Sequence, residues 1–593
     1  MAKQLQKLEL TWIGKGDEPK LEPRILIEDP GKSFGDAKSE NMLIHGDNLL
    51  ALRALEQTFT GKIKCIYIDP PFNTGAAFEY YEDGIEHSLW LDLMSRRLKI
   101  LKRLLTTDGV IFIHIDDKEV SYLRILMDEI FERNNFLNMM VVKTSDPSGH
   151  KVVNPSPYSQ TEYILMYSKN RKHYKYEIQY VATTYDAMYN RIVINIESPY
   201  NEWKIESLSD YYAKSTGYND VRTAKKAVGK LDFEAMVGEF ARKNPEKVFQ
   251  STAISDAAGR TTVELREASK LNPEIVYCQK RDNYEDIYIY GGRQMYFLTS
   301  KIKIVDDDKV ISKPLTNLWT DIPYNGIAGE GNVSFKNGKK PEKLVKRCIE
   351  MSTNKGDFVF DSFLGSGTTA AVAHKMERKW IGIELGEHAN THCLPRLKAV
   401  VEGKDNGGIT DVVNWKGGGG FKFYTLAPSL IQKDKYGNDI INTAYNANML
   451  AAAMAKQEGF RYQPHENIYW KQGYSTEKDY IFTTTQFITV EMLDRLAEEM
   501  QPNESLLICC KGFKSECKTR HSNITIKKIP QMLYGRCEFG KDDYSLNIIN
   551  LPHDETGSAG SDEEEINIEE TTGKKSKTKS KKKADDESQT SLF

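Results

Sequence analysis

The sequence is poor in the features that would place it in several protein classes. Eight cysteines in 593 residues include no C-x-x-C pair, so neither a disulfide framework nor a zinc knuckle is expected. The closest group, Cys509, Cys510 and Cys517, follows the apolar run Leu506-Leu507-Ile508 and reads as buried strand thiols. No stretch approaches the ~20 apolar residues that span a bilayer. The opening Met-Ala-Lys-Gln-Leu-Gln-Lys lacks the apolar core of a signal peptide, and a reducing cytoplasm without membrane association is the expected location. No internal repeat of about 20 to 50 residues is present. An excess of positive charge is missing too: 81 Lys and Arg stand against 84 Asp and Glu, for a net charge of −3. Any nucleic-acid site must therefore be a local patch. Residues 555–593 hold seven Lys and ten Asp or Glu, which accounts for the whole of that charge.

What is there is ordinary globular composition, 40% hydrophobic and 28% charged, at a length that predicts about three or four domains. Near the N-terminus short apolar runs alternate with amphipathic stretches, which argues for strands alternating with helices and a mainly parallel sheet. Met42-Leu43-Ile44-His45 is a candidate strand, followed by a helix through Leu49, Leu52 and Leu55 that Asn48 is placed to cap. Residues 63–68 form a second strand, 88–107 a helix, and 110–115 and 162–167 further strands. From about 171 to 335 the alternation dissolves into a polar, tyrosine-rich segment that looks inserted. Regularity returns with a helix from Pro341 and with strands at 358–360 and 381–384. The expected organisation is an arm (1–40), a first core half (41–170), the insertion (171–335), a second core half (336–420), a further α/β domain (421–552) and a disordered charged tail (553–593). Gly417-Gly418-Gly419-Gly420 reads as a flexible joint by composition.

Two loops carry chemistry. The first, Phe363-Leu364-Gly365-Ser366-Gly367, lies between a strand and a helix. Glycines there permit a tight turn and let amides at a helix N-terminus approach a ligand. Read as G-x-G-x-x-A, residues 365–370 also satisfy the relaxed dinucleotide fingerprint, so a nicotinamide-dependent oxidoreductase stays open at this point. Glu384, at the end of the next strand, is placed to accept hydrogen bonds from a ribose. The second loop, Asp69-Pro70-Pro71-Phe72, follows an apolar strand. In an open α/β sheet that position is the ligand crevice. Two prolines remove two amide donors and leave carbonyls to accept. Asp69 and the Pro70 carbonyl can together bind an amino group with two hydrogens, while Phe72 offers a stacking face. The combination suits an exocyclic amine on a planar base.

The two loops resemble the signature motifs Asp-Pro-Pro-aromatic and Phe-x-Gly-x-Gly of amino-methylating DNA methyltransferases. Their order, with the Asp69 motif about 290 residues before the glycine motif, resembles the β-class permutation. Ile44-His45-Gly46-Asp47 and Ser88-Leu89-Trp90 further resemble the modification subunits of type III restriction-modification systems. The resemblance covers residues 40–170 and 335–395. It implies a Rossmann-like core interrupted by a target-recognition insertion, and methyl transfer from S-adenosylmethionine to a base flipped out of double-stranded DNA, without a metal. Asp69, Pro70, Pro71 and Phe72 would be catalytic. Phe363, Gly365 and Gly367 would lie beside the methionine and ribose of the cofactor, Glu384 on the ribose hydroxyls and Asp47 near the adenine, with Asp361 and Ser366 counted among the cofactor-binding residues. Asp47-Asn48 reads equally well as a plain helix cap.

Departures from the family pattern are Ser362, where proline is common, and Phe72, where tyrosine is common. Asp69 at the first motif position favours adenine N6 as the acceptor, with cytosine N4 and a catalytically idle DNA-specificity subunit as alternatives. The resemblance also implies a bacterial, nucleoid-associated protein, either with a restriction subunit as a partner or acting as a solitary enzyme, and a homodimer is a further expectation. The chain ends in Gln589-Thr590-Ser591-Leu592-Phe593, which resembles the peptide by which bacterial proteins dock on the replication sliding clamp.

Overall fold

The computed structural model describes residues 9–16, 20–72, 87–145, 157–305, 308–324, 326–335 and 338–540. The expected charged tail and its clamp-like peptide lie outside the described residues. The centre of the molecule is an 11-stranded mixed sheet. Across it run Leu26–Glu28, Gly420–Leu426, Met42–His45, Lys379–Glu384, Phe358–Asp361, Ile63–Ile68, Leu105–Ile115, Thr161–Ser168, Phe136–Lys143 and Leu318–Trp319, with Phe34–Gly35 paired to Gly420–Leu426. Neighbours from Gly420–Leu426 to Leu105–Ile115 are parallel. Thr161–Ser168 runs antiparallel to both strands beside it.

Side-chain alternation along the strands sorts two cores onto the two faces. Ile66 and Ile68 join Leu49, Trp90, Leu98 and Leu101 from helices Asn48–Phe59 and His87–Leu104. Cys65 and Tyr67 point the other way, toward Leu344, Val345, Ala370 and Leu397 from helices Glu342–Glu350, Thr368–Lys375 and Leu394–Val401. With helices on both faces, the sheet is doubly wound, as the alternating pattern predicts.

Three expectations need correction. The N-cap of Asn48–Phe59 is Asp47, whose Oδ1 accepts from Leu50 N at 2.8 Å, and Asn48 is the first helical residue. The glycine run at 417–420 is no flexible joint. Gly418 N donates to Val401 O at 2.7 Å and Asp36 N to Gly419 O at 3.0 Å. A Cβ added to Gly420 would lie 2.2 Å from Asp36 N, so glycine here serves close backbone approach. The boundary expected at 420 thus falls at the start of a strand of the main sheet, and the N-terminal arm supplies the edge strand Leu26–Glu28 against it. The sheet also resumes at Leu318–Trp319, ahead of the expected end of the insertion at 335.

The insertion builds its own six-stranded sheet, Ile205–Ser207, Arg191–Val193, Val248–Ala253, Arg293–Phe297, Ile287–Tyr290 and Tyr277–Gln279, antiparallel wherever neighbours pair. Tyr189, Ile192, Phe233 and Val248 form a separate core. It leaves and rejoins the main body through a narrow neck in which Tyr180–Ala182 pairs antiparallel with Asp308–Pro314, and Leu315 N donates to Gln179 O at 2.8 Å. After the main sheet, a five-stranded sheet and helices Ala447–Gln457 and Val490–Glu499 complete the described chain. Cys509, Cys510 and Cys517 are buried free thiols there, as expected.

Candidate active site

Chain order reverses between Phe358–Asp361 and Ile63–Ile68. From the first the chain moves to Lys379–Glu384 on one side, and from the second to Leu105–Ile115 on the other. Such a switch point opens a crevice beyond the carboxyl ends of the strands. Both motif loops leave from this end, so the sheet brings together residues almost three hundred positions apart.

On one side, Asp69 and Pro70 follow Ile68 directly. Asp69 Oδ1 is buried, and the contact it makes to a cation, Lys340 Nζ, is long at 3.4 Å. The Pro71 carbonyl, expected to be open, is taken by the buried Trp90, whose Nε1 donates to it at 2.7 Å. Among the described residues no donor meets the Pro70 carbonyl. Phe72 is partly buried against the first core.

The surroundings of Asp69 are strongly charged. Lys340 Nζ lies 3.4 Å from Asp69 Oδ1 and 3.2 Å from Glu162 Oε2. It also sits 4.6 Å from the centre of the Phe72 ring. Behind Glu162, His114 Nε2 is 2.6 Å from Glu162 Oε2, and His114 Nδ1 is 3.0 Å from Tyr67 Oη. Burial raises Asp69 above the ordinary carboxylate range, opposed by the charges of Lys340 and His114. Burial also acts to raise Glu162, but Lys340 and His114 overcome it and hold this carboxylate well below its usual range. For Lys340 the attraction of Asp69 and Glu162 outweighs desolvation, and its ammonium is held above the ordinary lysine value.

On the other side, the glycine loop is anchored from three directions. Gly365 and Gly367 adopt left-handed backbone, with φ of 55° and 82°, which side chains disfavour. Glu384, 1% exposed, accepts from Gly365 N at 2.7 Å and Gly386 N at 3.1 Å, so the carboxylate expected on a ribose also clasps the loop. Asn48 Nδ2 donates to Ser362 O at 2.8 Å while its Oδ1 accepts from Arg97 Nε at 2.6 Å. From below, Arg396 Nη1 reaches Ser366 O at 3.1 Å and Thr368 Oγ1 at 2.8 Å. Arg396 belongs to a fully buried ionic cluster, in which Glu342 binds Arg396 Nη2 and Lys375 Nζ, each at 2.8 Å, and Lys375 meets Asp405 at 2.9 Å.

Asp361 accepts from Phe363 N at 2.8 Å. Burial pushes it up to about 7, against the Thr369 and Phe363 hydrogen bonds, and the charges of Asp69 and Glu384 add to the rise. Phe363 and Ser366 are buried in the loop. Asp47 lies at the neighbouring strand end, where Gly46 N donates to Glu384 O at 2.9 Å; its Oδ1 serves the helix cap.

These residues fit a sulfonium nucleoside. A Cβ at Gly365 would meet only Phe335, 3.9 Å away, so the loop leaves room on that side, and two buried carboxylates, Asp361 and Asp69, feel each other's charge at the crevice. No group of three or more His, Cys, Asp or Glu suited to a metal occurs among the described residues.

Sequence reasoning missed Lys340, Glu162, His114 and the Glu342 cluster. One signal was present: His114 interrupts an otherwise apolar strand, Val110-Ile111-Phe112-Ile113-His114-Ile115, and a polar residue buried mid-strand demands a partner.

Comparison with known proteins agrees with this geometry. The probable type III restriction-modification enzyme HindVI Mod subunit of Haemophilus influenzae is 39% identical over 420 residues, 66% of this chain and 54% of that protein. The type II methyltransferase M.EcaI of Enterobacter cloacae is 28% identical over 372 residues, covering 60% and 69%. The type III restriction-modification enzyme EcoP15I Mod subunit of Escherichia coli is 25% identical over 428 residues, covering 63% of each. The match thus spans little more than half of the Haemophilus protein. A model described as DNA methylase matches residues 63–392, from the strand that carries Asp69 to beyond the glycine loop and Glu384, and over half its length the chain is thereby a member of that family.

Proposed function

We propose that the chain is a sequence-specific DNA methyltransferase that uses S-adenosylmethionine to methylate the exocyclic N6 amino group of adenine. The observation that carries this reading is Asp69: a buried carboxylate whose Oδ1 has Lys340 at the long distance of 3.4 Å, beside an aromatic ring and facing a glycine loop across a switch point. A carboxylate accepts several hydrogen bonds, so an oxygen held by one long contact has capacity left for an amino group.

An aryl amine is a poor nucleophile because its lone pair is delocalised into the ring. With one hydrogen on Asp69 and the other on the Pro70 carbonyl, the amino nitrogen is drawn toward tetrahedral geometry, and the charge that develops on it is met by the carboxylate. Phe72 receives the flipped base. Stacking worth ~1–3 kcal/mol per base offsets part of a flipping cost of a few kcal/mol. Phosphate contacts from the insertion supply the rest. When bound, the cofactor supplies a methyl group already activated on sulfur, so the protein's task is geometry and electrostatics. Phe363, Gly365, Ser366 and Gly367 would hold it, with Asp361, Glu384 and Asp47 around them.

Aspartate rather than serine at the first motif position supports adenine. Similarity to proteins named as Mod subunits supports a modification subunit, with a restriction subunit as partner. The insertion is the proposed reader of the DNA sequence; helix Val221–Val228 offers Arg222, Lys225 and Lys226 within it.

The test is incubation with labelled S-adenosylmethionine and mixed-sequence double-stranded DNA, followed by nucleoside digestion and sequencing of modified sites. N6-methyladenine at one motif is expected, and N4-methylcytosine would redirect the acceptor assignment. Asp69→Ala is expected to abolish transfer while cofactor binding survives; retained methylation refutes the reading.

A further inference from the structure

The ring of charge around Asp69 exceeds what holding an amino group requires. Asp69 and Glu162 come from strand ends on either side of Leu105–Ile115, and Lys340, just before helix Glu342–Glu350, reaches in between them from the other face. Its side chain is 10% exposed, so the ion pairs are only weakly screened by water. The remaining groups facing this point are Tyr67 and His114 on neighbouring strands, Tyr324, Cys348 on the helix and Asp361 on the adjacent strand. Burial keeps the phenols of Tyr67 and Tyr324 and the Cys348 thiol neutral by raising them well above their ordinary values. Lys340 is therefore the lysine that separates two close carboxylates.

We propose that Lys340 is a positioning residue for methyl transfer: its ammonium, held between Asp69 and Glu162 and over the Phe72 ring, keeps Asp69 a proton-free acceptor and fixes the ring that receives the base. This rests on the methyltransferase reading. Without the ammonium, two buried carboxylates share a pocket with no lysine between them, and one takes up a proton because like charges at short range cannot both stay ionised. Asp69 is the one to do so, since Glu162 keeps His114 at 2.6 Å. A protonated Asp69 offers a hydroxyl where the amino group needs an acceptor. The same cation lies near enough to the Phe72 face for a cation–π contact, so one side chain sets both halves of the base site.

The experiment is single-turnover methylation of a mapped DNA site from about pH 5.5 to about pH 9 by wild type, K340M, K340R and E162Q, with cofactor binding measured by calorimetry. For K340M the acidic limb of the rate profile should move up by about one pH unit or more, which removes about tenfold in rate at the acid end relative to the alkaline end. K340R should restore the limb, because guanidinium keeps the charge. E162Q removes the competing carboxylate and should move the limb down. Cofactor affinity should stay within about twofold in all three, since Lys340 and Glu162 do not touch the glycine loop.

A K340M profile that is unchanged, or lowered equally at every pH, overturns the proposal. Should K340M fail to fold, E162Q decides: a limb that does not move down overturns it as well. A wild type that transfers no methyl group, or an active Asp69→Ala, defeats the methyltransferase reading instead, so the two failures are distinct.

Discussion

Glu342→Gln isolates what holds the glycine loop in place. Glu342 is completely buried and accepts from Arg396 Nη2 on one oxygen, and from Lys375 Nζ and Ile409 N on the other. With Asp405 the cluster holds two cations and two anions and is neutral as a set. Glutamine preserves the shape but leaves one positive charge uncompensated, and whichever way its amide turns, an N–H group faces a donor. Breaking a buried pair in this way costs about 3–5 kcal/mol, a large part of the ~5–15 kcal/mol that stabilises a typical domain. Since Arg396 also holds Ser366 O and Thr368 Oγ1, cofactor affinity should fall together with stability.

The assay is native-state hydrogen exchange read over residues 342–409, which reports this region without requiring the whole chain to unfold in one step. Glu342→Gln/Lys375→Met restores neutrality and should recover about 2 kcal/mol or more of the loss, a coupling within the range for contacting residues. A single-variant loss under about 1 kcal/mol, or a double variant no better than the single one, refutes the electrostatic account.

Three further outcomes follow from the geometry. Asp361 stands at about 7 in the folded chain against an ordinary 3.8. Folded protein therefore binds more protons than unfolded protein between about pH 4 and pH 7, and stability falls across that window by a total on the order of 4 kcal/mol. Asp361→Asn should flatten the fall and exceed wild type at pH 8 in urea titrations; an unchanged slope refutes it. Gly420→Ala should destabilise by about 1–3 kcal/mol through overpacking against Asp36, measured by thermal denaturation, whereas a flexible joint would tolerate it. Exchanging the insertion between its neck strands for that of a relative should change the methylated sequence and leave transfer chemistry intact; an unchanged site removes its assignment as reader.

How much of this was legible depended on whether a signal was local. Ile63–Ile68 and Phe358–Asp361 announce themselves as apolar runs, and the two motif loops follow these runs. Lys340, Glu162 and His114 come from three distant segments; His114 alone stands out from its neighbours, and only the fold places the three around Asp69. Leu26–Glu28 and Leu318–Trp319 are too short for any two-residue period to stand out. The glycine run misleads for a different reason. Composition reads the same whether glycine is chosen for freedom or for close approach, and here the backbone of Asp36 decides. The cap at Asp47 rather than Asn48 is a one-residue shift, but it frees Asn48 to tie the first core half to the glycine loop through Ser362.

The neck formed by Tyr180–Ala182 and Asp308–Pro314 has a consequence for descent. Because the chain departs and comes back through adjacent strands, the core experiences everything between them as one closed excursion, whatever its length. Closure entropy grows only logarithmically with the residues enclosed, so lengthening, shortening or replacing that excursion perturbs the core little. Two crossover points in a gene, one at each neck strand, would suffice to give an inherited catalytic body a new target vocabulary.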